Sequence, residues 1–191
     1  ILGKNGSVEA IRERFRLDSH KLIEEFMVTA NVAAAETLER RQLPCMYRIH
    51  NQPSAEKIEA LTQFLASLEI QFSKGHVIKP IQFNNILART QDTPQNHMIN
   101  EVILRTQAQA EYSPDNIGHF GLSLRRYCHF TSPIRRYADL INHRLLINGL
   151  KLGNGGKAPE LETLFNLGKH LLETERRAAS AERDTVDRYT A

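Results

Sequence analysis

Apolar residues recur along most of the chain at intervals of three and four positions, the spacing of one helical face. The clearest pattern begins after Asp18 or Ser19, either of which could cap a helix. It ends near Arg40 and Arg41, whose charge favours a helix C-terminus. The apolar positions of this predicted helix are Leu22, Ile23, Phe26, Met27, Ala30, Ala34 and Leu38.

The remaining pattern is also mainly helical, with little strand. Residues 46–50 alternate as a short strand, and residues 110–131 are rich in Tyr, Phe and turn formers, which predicts irregular strands or loops. We therefore expect an α+β, mostly helical fold, with residues 1–191 as one unit and residues 1–16 as the tail of a preceding element. Further helices are predicted after Pro53-Ser54, after Pro80, over 94–109, from Ser132 to about Leu150, and over 159–189.

Composition is that of an ordinary globular protein. The 191 residues are 41% hydrophobic and 25% charged, with a net charge of +3. The sequence contains no apolar run long enough to cross a membrane and no secretion signal, so we predict a cytoplasmic location without membrane attachment. Cys45 and Cys128 are too few for a disulfide framework and are predicted to be reduced. Because the chain opens on Ile1 and closes inside a charged helical pattern, we expect a fragment.

Positive charge is concentrated between residues 116 and 151. This stretch has six Lys or Arg residues and one acid, Asp139, and the cations alternate with aromatic residues such as Tyr127 and Phe130. Such a mixture suits a polyanion that carries stackable bases. The alternative is a solvated basic surface with core aromatics, and composition alone does not decide between them.

One segment within this stretch has a sharper pattern. Ser132 is a good N-cap and Pro133 fits the first position of a helix, so a helix is predicted to begin there. Free backbone N–H groups at such an end favour a phosphate. Arg135 and Arg136 would then oppose the helix dipole, which an anion would compensate. The alternative for Arg135 is an ion pair with Asp139, four residues later.

The residues HFGLSLRRYCHFTSPIRRYADLINHRLL, at 119–146, closely resemble a signature of the ribonuclease II/ribonuclease R family. The HFTSPIRRYAD form is nearer to the ribonuclease R branch. LIEEFMVTAN at 22–31 and AERD at 181–184 resemble two further segments of that family. The resemblance therefore extends from about residue 14 to the end of the chain.

The resemblance implies a processive 3′-to-5′ exoribonuclease that hydrolyses single-stranded RNA to nucleoside 5′-monophosphates. It implies that Arg135 lies at the scissile phosphate as a catalytic residue, where a guanidinium neutralises developing charge. It also implies that Glu24 and Glu182 hold the RNA 3′ end, where carboxylates could accept hydrogen bonds from ribose 2′-hydroxyls. The predicted RNA-binding residues are Glu24, Glu182, Thr131, Ser132 and Arg136.

The family holds Mg²⁺ in a closely spaced aspartate cluster, which this sequence lacks. We therefore expect no metal ligands here, and interpret the chain as the C-terminal part of an RNB-type catalytic domain. The expected partners are single-stranded RNA, the remaining half of that domain and flanking RNA-binding barrels, and the chain alone should be inactive. An alternative is a non-catalytic RNA-binding or scaffold protein. A third, less favoured, is a metal site built from His119, His129 and His143.

Without the resemblance, several of these residues have ordinary structural explanations. Glu24 and Glu182 would be exposed side chains of charged helices. Cys128 is expected to be a packed thiol, because no partnered base accompanies it. His129 is expected to support the loop before Ser132, and His143 to pack along the helix that follows.

Overall fold

The computed structural model describes residues 15–72, 78–157 and 159–190. It confirms the α+β, mostly helical class, while most of the predicted N-terminal tail, residues 1–14, lies outside the described residues. A 3₁₀ turn, Phe120–Leu122, lies between the second strand and the fifth helix. The elements are α1 Asp18–Arg40, β1 Tyr47–His50, α2 Ala55–Ser67, α3 Pro80–Thr90, α4 Asn96–Thr106, β2 Ala110–Ser113, α5 Tyr137–Gly149 and α6 Leu161–Thr190.

Helix α1 has the predicted limits but a different cap. Leu17, not Asp18 or Ser19, is the N-cap, and its N–H donates to Nδ1 of His20 at 3.1 Å. The second half of the helix buries Ala34, Ala35 and Leu38 in the core. The first half packs no apolar side chains into this core, because those side chains are exposed on the described structure. Those exposed side chains include Leu22, Ile23 and Phe26, together with Phe15 and Leu17 just before the helix.

The two strands form a small antiparallel sheet in which Tyr47 pairs with Ser113 and His50 with Ala110. Helix α6 covers it. Both terminal nitrogens of Arg48 donate to the Glu175 carboxylate, at 2.9 and 3.1 Å. The guanidinium carbon of Arg48 also lies 4.5 Å from the Tyr112 ring centre, a cation–π contact. One strand residue thus connects β1, β2 and α6.

Two hydrophobic clusters account for the core. The first combines α1, the sheet, α5 and α6, and the second belongs to the three helices α2, α3 and α4. Phe120 packs against the second cluster and also lies beside His50 of β1, so it joins the two. The first cluster contains Ala34, Ala35, Leu38, Cys45, Met46, Tyr47, Ile49, Tyr112, Cys128, Ala138, Ile141, Leu145 and Leu164. The second contains Ile58, Leu61, Leu65, Phe83, Ile86, Ile99 and Ile103.

The predicted helix start at Ser132 is wrong. Helix α5 begins at Tyr137, and Arg136 before it has extended backbone angles. Residues 132–136 form a turn instead, and Ile134 within it is 99% exposed. No described helix is long and apolar enough to cross a membrane.

Helix α6 approaches the sheet most closely at Gly168. A Cβ atom there would lie 2.4 Å from the carbonyl oxygen of Tyr112, inside any allowed contact. Only glycine therefore permits this spacing. Beyond Glu175 the helix leaves the sheet, and its described side chains from Arg176 onward are exposed.

We expect Gly168→Ala to lower the free energy of unfolding by about 1–3 kcal/mol, because the methyl group forces α6 away from β2. Alanine in a helix interior otherwise stabilises by about 1 kcal/mol, so the expected sign is opposite to the helix propensity. Urea unfolding would measure it. Gly155→Ala is the control, since nothing lies within 4 Å of its added Cβ, and it should change stability by less than about 0.5 kcal/mol. A stabilised Gly168→Ala protein would contradict the close packing.

Candidate functional site

The turn before α5 presents the predicted catalytic arginine. The carbonyl oxygen of Ser132 accepts hydrogen bonds from the N–H groups of Arg135 and Arg136, at 3.3 and 3.2 Å. The N–H groups of Arg135 and Arg136 are therefore bonded within the turn. Because α5 begins only at Tyr137, Ser132 does not provide the helix end at which a phosphate was expected.

A buried carboxylate fixes this turn. Asp139 is completely buried, and its Oδ1 accepts the Ser132 N–H at 2.7 Å. The same carboxylate accepts hydrogen bonds from Nε and Nη2 of Arg136 at 2.8 and 2.9 Å, which makes a bidentate ion pair. Asp139 lies in the first turn of α5, where a negative charge also suits the helix dipole. The carboxylate thus holds the beginning and the end of the turn together.

The two arginines consequently have different environments. The alternative Arg135–Asp139 pair does not form, because Arg136 occupies that carboxylate. Arg135 is exposed, and its guanidinium has no hydrogen-bond or ion-pair partner anywhere in residues 15–72, 78–157 and 159–190. Of the two side chains, Arg135 is therefore the one available to an anionic ligand.

Thr131 and Ser132 lie directly before the turn. The Thr131 hydroxyl oxygen is buried without a hydrogen-bond partner among the described residues. The Thr131 N–H donates to Asn31 at 3.2 Å. Ser132 is half-buried, and its hydroxyl has no partner within the described ranges. Of these two predicted RNA-binding side chains, the Ser132 hydroxyl is the accessible one.

Two buried asparagines, to which the sequence analysis gave no role, organise the segment that leads into the turn. Asn31 of α1 accepts from the N–H groups of Phe130 and Thr131, and Asn142 of α5 donates to the carbonyl oxygens of His129 and Met46. Both amides are at most 2% exposed. Asn31 is the last residue of the LIEEFMVTAN segment, so that resemblance was the one sequence signal that could have identified it.

His129 was predicted to support the segment before the turn and His143 to pack along α5, and both side chains contact residues at or beside that segment. His143 Nε2 donates to the Phe130 carbonyl oxygen at 2.8 Å, and its ring stacks on Phe130 with centres 4.2 Å apart. His129 Nδ1 lies 2.8 Å from the Tyr112 hydroxyl. Burial, together with the positive charges of Arg136 and Arg48, lowers the pKa of His129 to about 3.

Glu24 lies in the exposed first half of α1 and forms an ion pair with Arg16. Its position relative to Asn31 follows from helix geometry. Seven residues are almost two full turns, so the two side chains share a face and lie about 10 Å apart along the axis. Glu24 also lines a cavity of about 450 Å³ with Phe15, Arg16, His20 and Ile23. It therefore points to the side of α1 that contacts the segment before Arg135.

Glu182 lies on the exposed end of α6, and its carboxylate has no partner in the part of the chain that the structure describes. It is seven residues after Glu175, so it shares the face that pairs with Arg48. No contact brings it to Arg135. The turn thus groups Thr131, Ser132, Arg135 and Arg136, and no contact among the described residues joins Glu24 or Glu182 to it.

The described residues do not fit a metal ion. Within them, no three His, Cys, Asp or Glu side chains come together as a ligand set. One ring nitrogen of each histidine in question is already bonded, since His119 Nδ1 accepts the Leu122 N–H and the other two histidines bond as described above. Cys45 and Cys128 are buried free thiols of the first core cluster, as predicted for Cys128, and burial raises the pKa of Cys45.

A sizeable cavity lies elsewhere. It has a volume of about 870 Å³, and Lys79, His119 and Arg125 are among the residues that line it. None of the six predicted site residues does so. The candidate site is therefore an open surface around Arg135 and not a closed pocket.

Comparisons with known proteins point to one family. A family model described as RNB domain matches residues 1–151. Ribonuclease R of Escherichia coli is 40% identical over 98% of this chain and 24% of its own length, and ribonuclease R of Aquifex aeolicus is 40% identical over 98% and 26%. The chain thus spans about a quarter of these curated relatives. The structure of Mycoplasma genitalium RNase R in complex with ribose methylated single-stranded RNA matches 100% of this chain and 30% of that chain, with 28% identity and a TM-score of 0.89.

The lowered pKa of His129 predicts acid sensitivity. Between about pH 6.5 and 3 the unfolded chain binds a proton at this site that the folded chain does not, so the free energy of unfolding falls as the pH falls. We expect His129→Gln to lower the slope of the free energy of unfolding with pH by up to about 1.4 kcal/mol per pH unit, the contribution of one proton. Urea unfolding from pH 7 to pH 4.5 would measure the slope.

The matched control is His97→Gln, because His97 is exposed on α4. Its slope should equal that of the unsubstituted protein. An unchanged slope in His129→Gln would show that burial of His129 does not contribute to acid sensitivity.

Proposed function

The chain belongs to the RNB domain family, and from this premise we propose that it is the C-terminal part of the catalytic domain of a ribonuclease R-like exoribonuclease. The intact enzyme would hydrolyse single-stranded RNA from the 3′ end and release nucleoside 5′-monophosphates. In this proposal the chain supplies the arginine that contacts the scissile phosphate. The relatives named ribonuclease R, and the match to a member of that group with single-stranded RNA bound, support this proposal.

The state of Arg135 is the observation that carries the proposal. An exposed guanidinium without a described partner, on a turn held by a buried ion pair, is an arginine kept free for an external anion. A guanidinium offers N–H groups in a planar fork that matches two phosphate oxygens. As the phosphate gains negative charge in the transition state, those contacts strengthen, which lowers the barrier. We therefore assign Arg135 the catalytic role.

The other predicted site residues bind RNA in this proposal. The Ser132 hydroxyl and the outer surface of the Arg136 side chain, which is 18% exposed, border Arg135. Thr131 contributes by placing Ser132, because its N–H is bonded to Asn31. Glu24 and Glu182 accept from ribose hydroxyls at the RNA 3′ end, and Glu24 would first leave Arg16. Carboxylates at that place favour RNA over DNA, because only RNA has a 2′-hydroxyl.

The remaining half of the catalytic domain is the proposed partner for the exposed face of α1. Leu22, Ile23 and Phe26 are more than half exposed and lie on one side of that helix, beside Phe15 and Leu17. An apolar stripe of this kind is normally covered by another element. In the intact enzyme we propose that the missing half covers it, holds Mg²⁺ with its own carboxylates, and is flanked by RNA-binding barrels.

We expect Arg135→Ala in the intact parent enzyme to lower kcat about 100- to 1000-fold, the usual effect of removing a donor to transition-state charge. The dissociation constant for single-stranded RNA should rise less than about fivefold, because several other contacts remain. Arg135→Lys should recover little, since an ammonium does not reproduce the planar fork. Single-turnover cleavage and filter binding would separate the two effects.

The matched control is Arg125→Ala, an exposed arginine on a neighbouring segment. It should keep kcat within about threefold, because it is not part of the turn. If Arg135→Ala instead weakened binding strongly and left kcat unchanged, Arg135 would be a binding residue only. An inactive unsubstituted parent that still binds RNA would favour the non-catalytic RNA-binding or scaffold alternative.

A further inference from the structure

We propose that Asn31 is a positioning residue for Arg135. It positions the arginine by bonding helix α1, which carries Glu24, to the backbone that leads into the turn at residues 132–136. This inference rests on the proposed function, because it assigns Asn31 a part in the same reaction. Asn31 would not touch the RNA. It would act through the placement of Arg135 relative to α1.

Both polar atoms of the Asn31 amide bond the segment before the turn. Its Oδ1 accepts the Phe130 N–H at 2.8 Å and the Thr131 N–H at 3.2 Å. Its Nδ2 donates to the Tyr127 hydroxyl at 3.0 Å, and its own carbonyl oxygen lies 3.5 Å from Cys128 Sγ. The side chain is 2% exposed. One buried residue of α1 therefore contacts four of the five residues from 127 to 131, just before the turn that carries Arg135.

The next N–H group is held from the other side. The Ser132 N–H donates to Asp139 of α5 at 2.7 Å. Three successive backbone donors, from Phe130 to Ser132, are thus bonded to side chains of two different helices. Pro133 follows and has no N–H group, so the segment cannot make regular backbone ladders there. The position of the turn is consequently set by α1 and α5 together.

Placement by two helices has a consequence for chemistry. Glu24 lies two turns before Asn31 on the same face of α1, so the distance from that carboxylate to the turn depends on the Asn31 contacts. If Asn31 is lost, Phe130 and Thr131 have two buried donors without acceptors, and the segment must move to find new ones. A shift of about 1 Å in a positioned group can cost about 100-fold in rate. The residue is therefore expected to affect turnover more than RNA affinity.

A double-mutant cycle in the intact parent enzyme tests this inference. Asn31→Ala, Arg135→Ala and the double variant are compared in single-turnover cleavage and in RNA binding, at a temperature at which melting curves show all proteins folded. We expect Asn31→Ala to lower kcat at least tenfold, with RNA affinity within about threefold of the unsubstituted enzyme. In the Arg135→Ala background the same substitution should have almost no further effect on kcat, because its target is absent.

Tyr127→Phe is the matched control. It removes one hydrogen bond of the Asn31 amide but leaves both backbone N–H contacts, so kcat should stay within about threefold although stability falls. If Asn31→Ala does not fold, Asn31→Asp replaces it. Aspartate keeps acceptor oxygens for both N–H groups, and turnover close to that of the unsubstituted enzyme is expected.

The outcomes separate this inference from the proposed function. Unchanged kcat in Arg135→Ala would overturn both. A large effect of Arg135→Ala, together with equal losses from Asn31→Ala in both backgrounds, would leave the function intact and make Asn31 purely structural. An Asn31→Asp protein as slow as Arg135→Ala would likewise overturn the positioning role.

Discussion

The position of Arg135 depends on three consecutive backbone N–H groups, at residues 130–132, that need hydrogen-bond acceptors. They lie between a strand-like segment and a proline turn, where neither a helix nor a sheet offers acceptors. Buried donors without partners are costly, so side chains must supply the acceptors. Asn31 supplies two and Asp139 supplies one. Helices α1 and α5 are therefore tied to the same short segment.

The same constraint divides the work between two neighbouring arginines. Asp139 is buried and needs a cation, which Arg136 provides from three residues away. That pair neutralises one positive charge and fixes the end of the turn, so Arg135 is directed outward without a competing carboxylate. A single buried acid can thus convert an Arg-Arg pair into one structural residue and one free one. In the proposed reaction the free residue meets the phosphate.

Local signals were enough to predict much of the fold. The limits of α1 follow from its hydrophobic periodicity and C-terminal charge, although its N-cap does not. The start of α2 follows from Ser54, which accepts the Lys57 N–H. The start of α5 could not be predicted in this way. Ser132-Pro133 is a good local start, but the reach of Asp139 back over seven residues is a tertiary contact that outweighs it.

The candidate site was predictable only in part, for similar reasons. The long motif around Arg135 drew attention to this segment, although the sequence predicted a helix there and not a turn. The sequence also did not predict the Arg136–Asp139 pair, because spacings of three and four residues are both allowed on a helix. The role of Asn31 depends on residues almost one hundred positions away, and no local pattern encodes such a contact. The exposed apolar face of α1 was also hidden, since periodicity shows which residues share a face and not what covers it.

The most direct test of the central claim is an activity assay on two proteins. This chain alone, and a longer protein in which the upstream aspartate segment precedes it, are incubated with 5′-labelled single-stranded RNA and Mg²⁺, and the products are separated on a sequencing gel. We predict stepwise shortening by the longer protein and none by this chain. Shortening by this chain alone, if it persisted after repurification and disappeared in Arg135→Ala, would contradict the claim that it supplies the arginine and not the metal site.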